Sequence, residues 1–164
     1  MAVKIDELKT LRLFLRGIDA TDTEKIVEWR SIPHVYQYFK FPHRITIDEH
    51  LKWFNNSYKN NPCRFDWMCL ELSTGQKIGV FGLIKEENTA EINYILAPKA
   101  QHKGYAKEAI KRLISYAEKE WLVDSIKAEI HKDNTPSIAL IEKLGFIRTA
   151  SDGDFVLYQL ELKH

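Results

Sequence analysis

The sequence predicts an α/β (α+β) domain built on a mixed, mostly antiparallel sheet flanked by helices, and three observations carry that reading. Three strand-like runs, 65–72, 77–85 and 90–96, follow one another across the short polar turns 73–76 and 86–88, the pattern of an antiparallel meander. From Tyr105 the apolar period becomes helical, with Ala106, Ala109, Ile110, Leu113, Ile114 and Ala117 on one stripe. A strand at 125–131, a helix at 135–144 and a strand at 155–162 then alternate, so that strands precede and follow helices.

The remaining elements come from the first third of the chain. Leu11, Leu13 and Leu15 alternate with Arg12, Phe14 and Arg16, as a first strand would. Residues 22–30 fit a helix with Ile26, Val27 and Trp29 apolar. Residues 31–44 form a long connection rich in aromatics and histidine, and long ordered connections are often functional. Thr46 and Glu49 make a capping box that opens a second helix carrying Leu51, Trp53 and Phe54. The order is βααβββαβαβ. No repeat, low-complexity tract or linker divides the 164 residues, a length suited to one domain, so 1–164 reads as a single unit.

Charge and composition exclude several classes. Lys and Arg number 24 against 23 Asp and Glu, a net charge of +1, which gives no global attraction for nucleic acid or an anionic membrane; any anion must be bound locally. Cys63 and Cys69 have no companion cluster of metal-ligand spacing and read as reduced core thiols, with no metal site expected. No apolar run approaches the roughly 18 residues that span a bilayer, and the cytoplasm is the default compartment.

Residues 90–106 read as strand, tight loop and helix. A loop ending at a helix start presents unpaired backbone N–H groups to one point, which is the chemistry of a phosphate site. Gly104 lets the backbone turn and approach a ligand, Ala106 keeps the first helical turn narrow, and Lys103 and Lys107 add positive charge. The same residues also fit an ordinary strand-to-helix connection with Gly104 as its turn.

Gln101-x-x-Gly104-x-Ala106, following a strand and Pro98, resembles the pyrophosphate-binding signature of the GCN5-related N-acetyltransferase superfamily. Asn134-x-x-Ser137, followed by Glu142-Lys143-Leu144-Gly145-Phe146, is similar to the second motif with which that family contacts coenzyme A. Trp29-Arg30 with Pro33, and 49–54, look like the branch containing ribosomal-protein N-terminal and nucleotide-amino-sugar acetyltransferases. The resemblance implies acetyl-CoA as co-substrate, its pyrophosphate on the loop opened by Gln101 and held by the amides of His102, Lys103, Gly104, Tyr105 and Ala106, with Lys107 beginning the helix. It also implies that the fourth strand (90–96) carries a bulge and splays from the fifth (125–131). The pantetheine arm would lie in that gap against the amides of Ile95, Leu96 and Ala97, one of which would face the thioester carbonyl. Asn134 would cap its helix and touch the cofactor, and Lys143 would reach the nucleotide phosphate or simply be solvated.

An alkyl amine of pKa about 10 must lose a proton before it attacks a thioester, so a base or a water path is needed. Alternation puts Glu91, Asn93 and Ile95 on one strand face, and Glu91 stands where acetyltransferases of the superfamily carry a base glutamate; its other reading is a solvated strand carboxylate. Many members protonate the departing thiolate with a Tyr seven residues after the motif Asn, where this chain has Ile141; Ser137 is the nearest substitute. By resemblance the acceptor site falls among Trp29, Arg30, Tyr36, Phe39 and Arg44 with Asn93 on the strand, the two arginines being able to meet a phosphate or carboxylate. The expected activity is N-acetylation of a protein N-terminus, an amino sugar or a small amine, by a monomer or homodimer. The alternatives are an idle CoA-binding sensor and an acyltransferase using another acyl-CoA.

Overall fold

The computed structural model describes residues 6–162. Its strands are β1 (Leu8–Lys9), β2 (Leu13–Gly17), β3 (Arg64–Glu71), β4 (Lys77–Glu86), β5 (Thr89–Leu96), β6 (Ser125–His131), β7 (Ile147–Asp152) and β8 (Phe155–Glu161); its helices are α1 (Thr23–Arg30), α2 (Pro33–Tyr36), α3 (Ile47–Trp53), α4 (Tyr105–Glu120) and α5 (Thr135–Lys143). They form one eight-stranded sheet in the order β1-β2-β3-β4-β5-β6-β8-β7. Every neighbouring pair is antiparallel except β5 and β6, which the crossover through α4 makes parallel.

The meander from β3 to β5 is held by uninterrupted cross-strand rows such as Trp67–Phe81–Tyr94 and Asp66–Gly82–Asn93. Alternation sends these two rows to opposite faces. The first supports α4: Trp67 meets Tyr116 of α4 edge to face at 5.3 Å, and Leu13, Leu15, Cys69, Phe81, Leu83, Ile110 and Leu113 are all fully buried there. The second lies under α1 and α3, where Trp53 of α3 sits 4.9 Å from the Arg64 guanidinium. The capping box on α3 is present, Thr46 accepting from the Glu49 amide while Glu49 accepts from the Thr46 amide.

Between the sheet and α1 lies a buried ion cluster. Asp22, with no exposed side-chain surface, accepts two hydrogen bonds from Arg16 at 2.9 Å and lies 2.8 Å from the Lys77 ammonium. These partners hold its carboxyl below the ordinary range despite burial. The cluster ties β2 and β4 to the entrance of α1.

Several expectations need correction. Leu11 does not belong to the first strand; it is 91% exposed in the turn between β1 and β2, because the Thr10 amide closes that turn onto the Leu13 carbonyl and Arg12 is drawn toward α4. Cys63 is exposed and Cys69 alone is a core thiol, its pKa pushed up to about 12 chiefly by burial. The connection 31–44 contains the short helix α2, and β7 was not anticipated. The β4–β5 ladder runs from Thr89 to Leu96 without a register shift, so the expected bulge is not in that pairing. Among the described residues, no helix is long and apolar enough to cross a membrane and no group of three or more His, Cys, Asp or Glu is placed to hold a metal ion.

Substituting Asp22→Asn should leave Arg16 and Lys77 facing an uncharged group in a buried setting and cost about 3 kcal/mol. Urea denaturation would show this as a lower midpoint at constant slope.

Candidate active site

At the head of α4 the loop is shaped by two residues with left-handed backbone, His102 (φ 64°) and Gly104 (φ 79°). Among the described residues, none of the main-chain N–H groups from His102 to Lys107 has a hydrogen-bond partner. The loop carbonyl is held from outside: Arg12 donates to the Lys103 carbonyl at 2.9 Å and to Glu108 of α4 at 2.7 Å, while Glu108 also accepts from the Arg12 amide and from Thr10. The guanidinium of Arg12 lies over the Tyr105 ring at 4.4 Å, and the Tyr105 hydroxyl donates to Glu71. Glu108 would by itself oppose an anion at a helix N-terminus; its pairing with Arg12 neutralises it. The exposed Lys103 and Lys107 leave the rim positive.

Beside this loop the sheet opens. β5 and β6 pair at Thr89–Ser125, Ala90–Ile126 and Glu91–Lys127 and nowhere beyond, although β5 continues to Leu96 and β6 to His131. The Ala97 amide donates to the Ile78 carbonyl at 2.8 Å. Because donors alternate along an antiparallel ladder, Ile95 and Ala97 turn their amides to β4, and Tyr94 and Leu96 turn theirs into the gap. Of the three amides expected to meet a ligand arm, Leu96 alone faces it. Across the gap, the Tyr94 hydroxyl and Ser137 Oγ of α5 are 2.7 Å apart, and burial raises the Tyr94 pKa so that the phenol keeps its proton. Asn134 occupies the N-cap position of α5, yet its side chain makes no capping hydrogen bond, contrary to expectation. Lys143 lies nine residues along α5, about 13 Å from Asn134, and is exposed.

On the α1 and α3 side, Glu91 is half-buried and, among the described residues, its carboxylate has no hydrogen bond or ion pair. Burial raises its pKa, with Glu129 and Glu86 adding to the effect and Lys127 and Lys40 opposing it. Two positions along, Asn93 leans over Gly82 together with Asp66; a Cβ there would stand 2.9 Å from Asn93 Oδ1 and 2.2 Å from Asp66 Oδ1, so the bare glycine backbone is what lets both side chains occupy this floor. Arg64 pairs with Asp66 at 3.1 Å. Arg30 and Phe39 are half-buried and in contact, the guanidinium lying 5.4 Å from the ring centre, and Tyr36 is half-buried on α2. Trp29 is 3% exposed and packs into the core, although it borders a groove of about 730 Å³ between α1 and the 97–105 loop. Arg44 stands exposed.

A family model for the acetyltransferase (GNAT) domain matches residues 12–147. The chain belongs to the GNAT acetyltransferase family. It is 31% identical to the uncharacterized N-acetyltransferase p20 of Bacillus licheniformis over 149 residues, covering 87% of this chain and 83% of that one. Among solved structures, a GNAT-family acetyltransferase from Bacillus anthracis superposes with a TM-score of 0.84 at 24% identity, covering 95% of this chain and 98% of that chain. Spermidine N-acetyltransferase from Vibrio cholerae, in complex with CoA and spermine, superposes at 0.82 with 22% identity, covering 93% and 96%.

Within this GNAT fold, the loop amides and Ser137 lie around the opening between β5 and β6 in the interior of the sheet, while Glu91 and Asn93 look from the other face of β5. Sequence reading passed over four participants. Arg12 and Glu108 are 96 positions apart and carry no local signal; Tyr94 and His50 have no role of their own in that reading, His50 entering only within the 49–54 resemblance. His50 is 1% exposed, stacked near Phe54 and tilted against Trp53, and neither ring nitrogen has a partner among the described residues.

Burial first, then the charge of Arg30, lowers the His50 pKa below 6.5, so the folded protein holds it neutral. The unfolded chain takes up that proton as the pH falls below about 6.5, binds more protons than the folded state, and is favoured. The melting temperature should therefore drop as the pH is lowered from 7 to 5.5, and His50→Leu should flatten that dependence; an unchanged slope in thermal melts would contradict it.

Proposed function

We propose that this enzyme moves the acetyl group of acetyl-CoA directly to a primary amine, namely a protein N-terminus, an amino sugar or a small amine, seated between α1–α3 and β5. The observation that carries the reading is the run of unpartnered amides from His102 to Lys107 at the head of a long helix, next to the point where β5 leaves β6. A diphosphate fits those donors and the helix dipole. Acetyl-CoA supplies the activated acyl group as a thioester.

The chain's own groups divide the remaining work. The Leu96 amide, turned into the gap, stands where it can donate to the thioester oxygen as negative charge develops there. Glu91 takes the proton that the incoming ammonium must lose, and its raised pKa brings it closer to the working pH than an exposed carboxylate would be. Ser137, supported by the Tyr94 hydroxyl, supplies a proton to the departing thiolate, a role for which Ile141 offers no functional group. Asn134, whose side-chain amide makes no cap, is free to contact the pantetheine arm.

Two substitutions separate the roles. Glu91→Gln should lower amine acetylation by roughly 10²-fold at neutral pH while leaving acetyl-CoA affinity near wild type. Gly104→Val should do the reverse, weakening acetyl-CoA by roughly tenfold because a branched residue resists the left-handed conformation that Gly104 adopts. Calorimetric titration with acetyl-CoA and a free-thiol assay read the two effects. Wild-type protein that gives no binding heat with millimolar acetyl-CoA would remove the reading, and binding without turnover of any amine would favour an idle CoA-binding domain.

A further inference from the structure

Arg30 ends α1 on the acceptor side of the sheet, and among the described residues no carboxylate forms an ion pair with it. Its residue is half-buried, and among the described residues its side chain neither donates a hydrogen bond nor has a carboxylate at ion-pair distance; what it meets is the Phe39 ring. The two carboxylates closest in electrostatic influence are engaged elsewhere. Asp66 is paired by Arg64 at 3.1 Å, and Glu49 closes the α3 capping box and lies 3.5 Å from His43. His50, buried nearby, is neutral and adds no negative charge.

A guanidinium cannot shed its proton, and shielding one from water without a counter-charge is costly. Helix α1 nevertheless brings Arg30 here, and desolvation together with the like charge of Arg64 presses its pKa downward. We infer that the acceptor carries, besides its amine, an oxyanion (a carboxylate or a phosphate) that pairs with the Arg30 guanidinium. This rests on the acetyltransferase reading above and names the class of acceptor within it.

The sheet sets the spacing between Glu91 and Arg64, the cation that neighbours Arg30. Arg64, Ile84 and Glu91 form one cross-strand row, so the Arg64 and Glu91 positions are two strand spacings apart, about 10 Å. In this inference the acceptor's amine approaches Glu91 and its other end extends along that row toward Arg64 and Arg30. A polycationic acceptor of the kind named for the Vibrio cholerae neighbour would bring like charge to Arg30. An amine with a distal carboxylate or phosphate relieves the unpaired charge and gains charge-assisted, bidentate hydrogen bonds.

The test compares matched amines with acetyl-CoA at saturation: ε-aminocaproate against cadaverine for a carboxylate, and glucosamine phosphorylated on its primary hydroxyl against glucosamine for a phosphate. In one pair or the other, kcat/KM for the anionic member should exceed that of its partner by at least roughly tenfold, identifying which oxyanion is read. Arg30→Met should bring that ratio to near unity, and Arg30→Lys should keep part of it, with the KM for acetyl-CoA unchanged in both. Equal or better use of the uncharged or cationic member in both pairs, no use of either anionic amine, or a ratio untouched in Arg30→Met would overturn the inference. The acetyltransferase reading is judged separately with the same samples, by acetyl-CoA binding and by turnover of any amine, whichever member of a pair is preferred. The wild-type comparison needs no variant, so a misfolded Arg30→Met would not block a decision.

Discussion

A parallel strand pair that stops after three residue pairs is the constraint on which the rest of the molecule depends. Backbone donors in a sheet need partners, and β5 offers several between Glu91 and Leu96 that β6 no longer meets. Here β6 stays paired with β8 along its whole length while it leaves β5 after three pairs, and the gap carries a demand for hydrogen bonds. Because β5 remains in unbroken register on β4, which of its amides face the gap is a matter of parity: Tyr94 and Leu96 do, Ile95 and Ala97 do not.

The loop at the head of α4 completes that demand. Its N–H groups have no hydrogen-bond partner among the described residues, which a stable protein tolerates at a solvated helix start. Their direction is fixed from the far side by Arg12, whose guanidinium grips both the Lys103 carbonyl and Glu108. That grip cancels an acidic side chain in the first turn of the helix, so the field at the loop is set by the peptide dipoles and the two exposed lysines. The acceptor side is built differently, from side chains packed over a glycine floor, with Arg30 held against the Phe39 ring and, among the described residues, in no ion pair.

What could be read from the sequence was what local pattern encodes. The meander, the amphipathic α4 and the Thr46–Glu49 capping box each need a few neighbouring residues, and each is present. Strand β7 was invisible because all six of its residues are exposed and no apolar alternation marks it. Leu11 misled because its spacing suits a strand while the turn that removes it depends on Thr10 and on a partner in α4. The loop 102–107 was legible as a motif, whereas the exclusion of Ala97 required the register of two strands. The brace from Arg12 and the burial of His50 arise from contacts between distant segments, for which a single sequence carries no local signal.

The exposed strand β7 has a consequence for the behaviour of the protein in concentrated solution. An outermost strand with a free row of peptide groups is a template for another chain. Its pairing with β8 slips between Arg148 and Ala150, which kinks the ribbon, and it carries Arg148 and Asp152 near its two ends, side chains that a docking strand would have to strip of water. Irregularity and charge thus guard this margin of the sheet against accretion, and straightening the kink while replacing those charges by valine would convert a soluble boundary into a seed for intermolecular β-assembly.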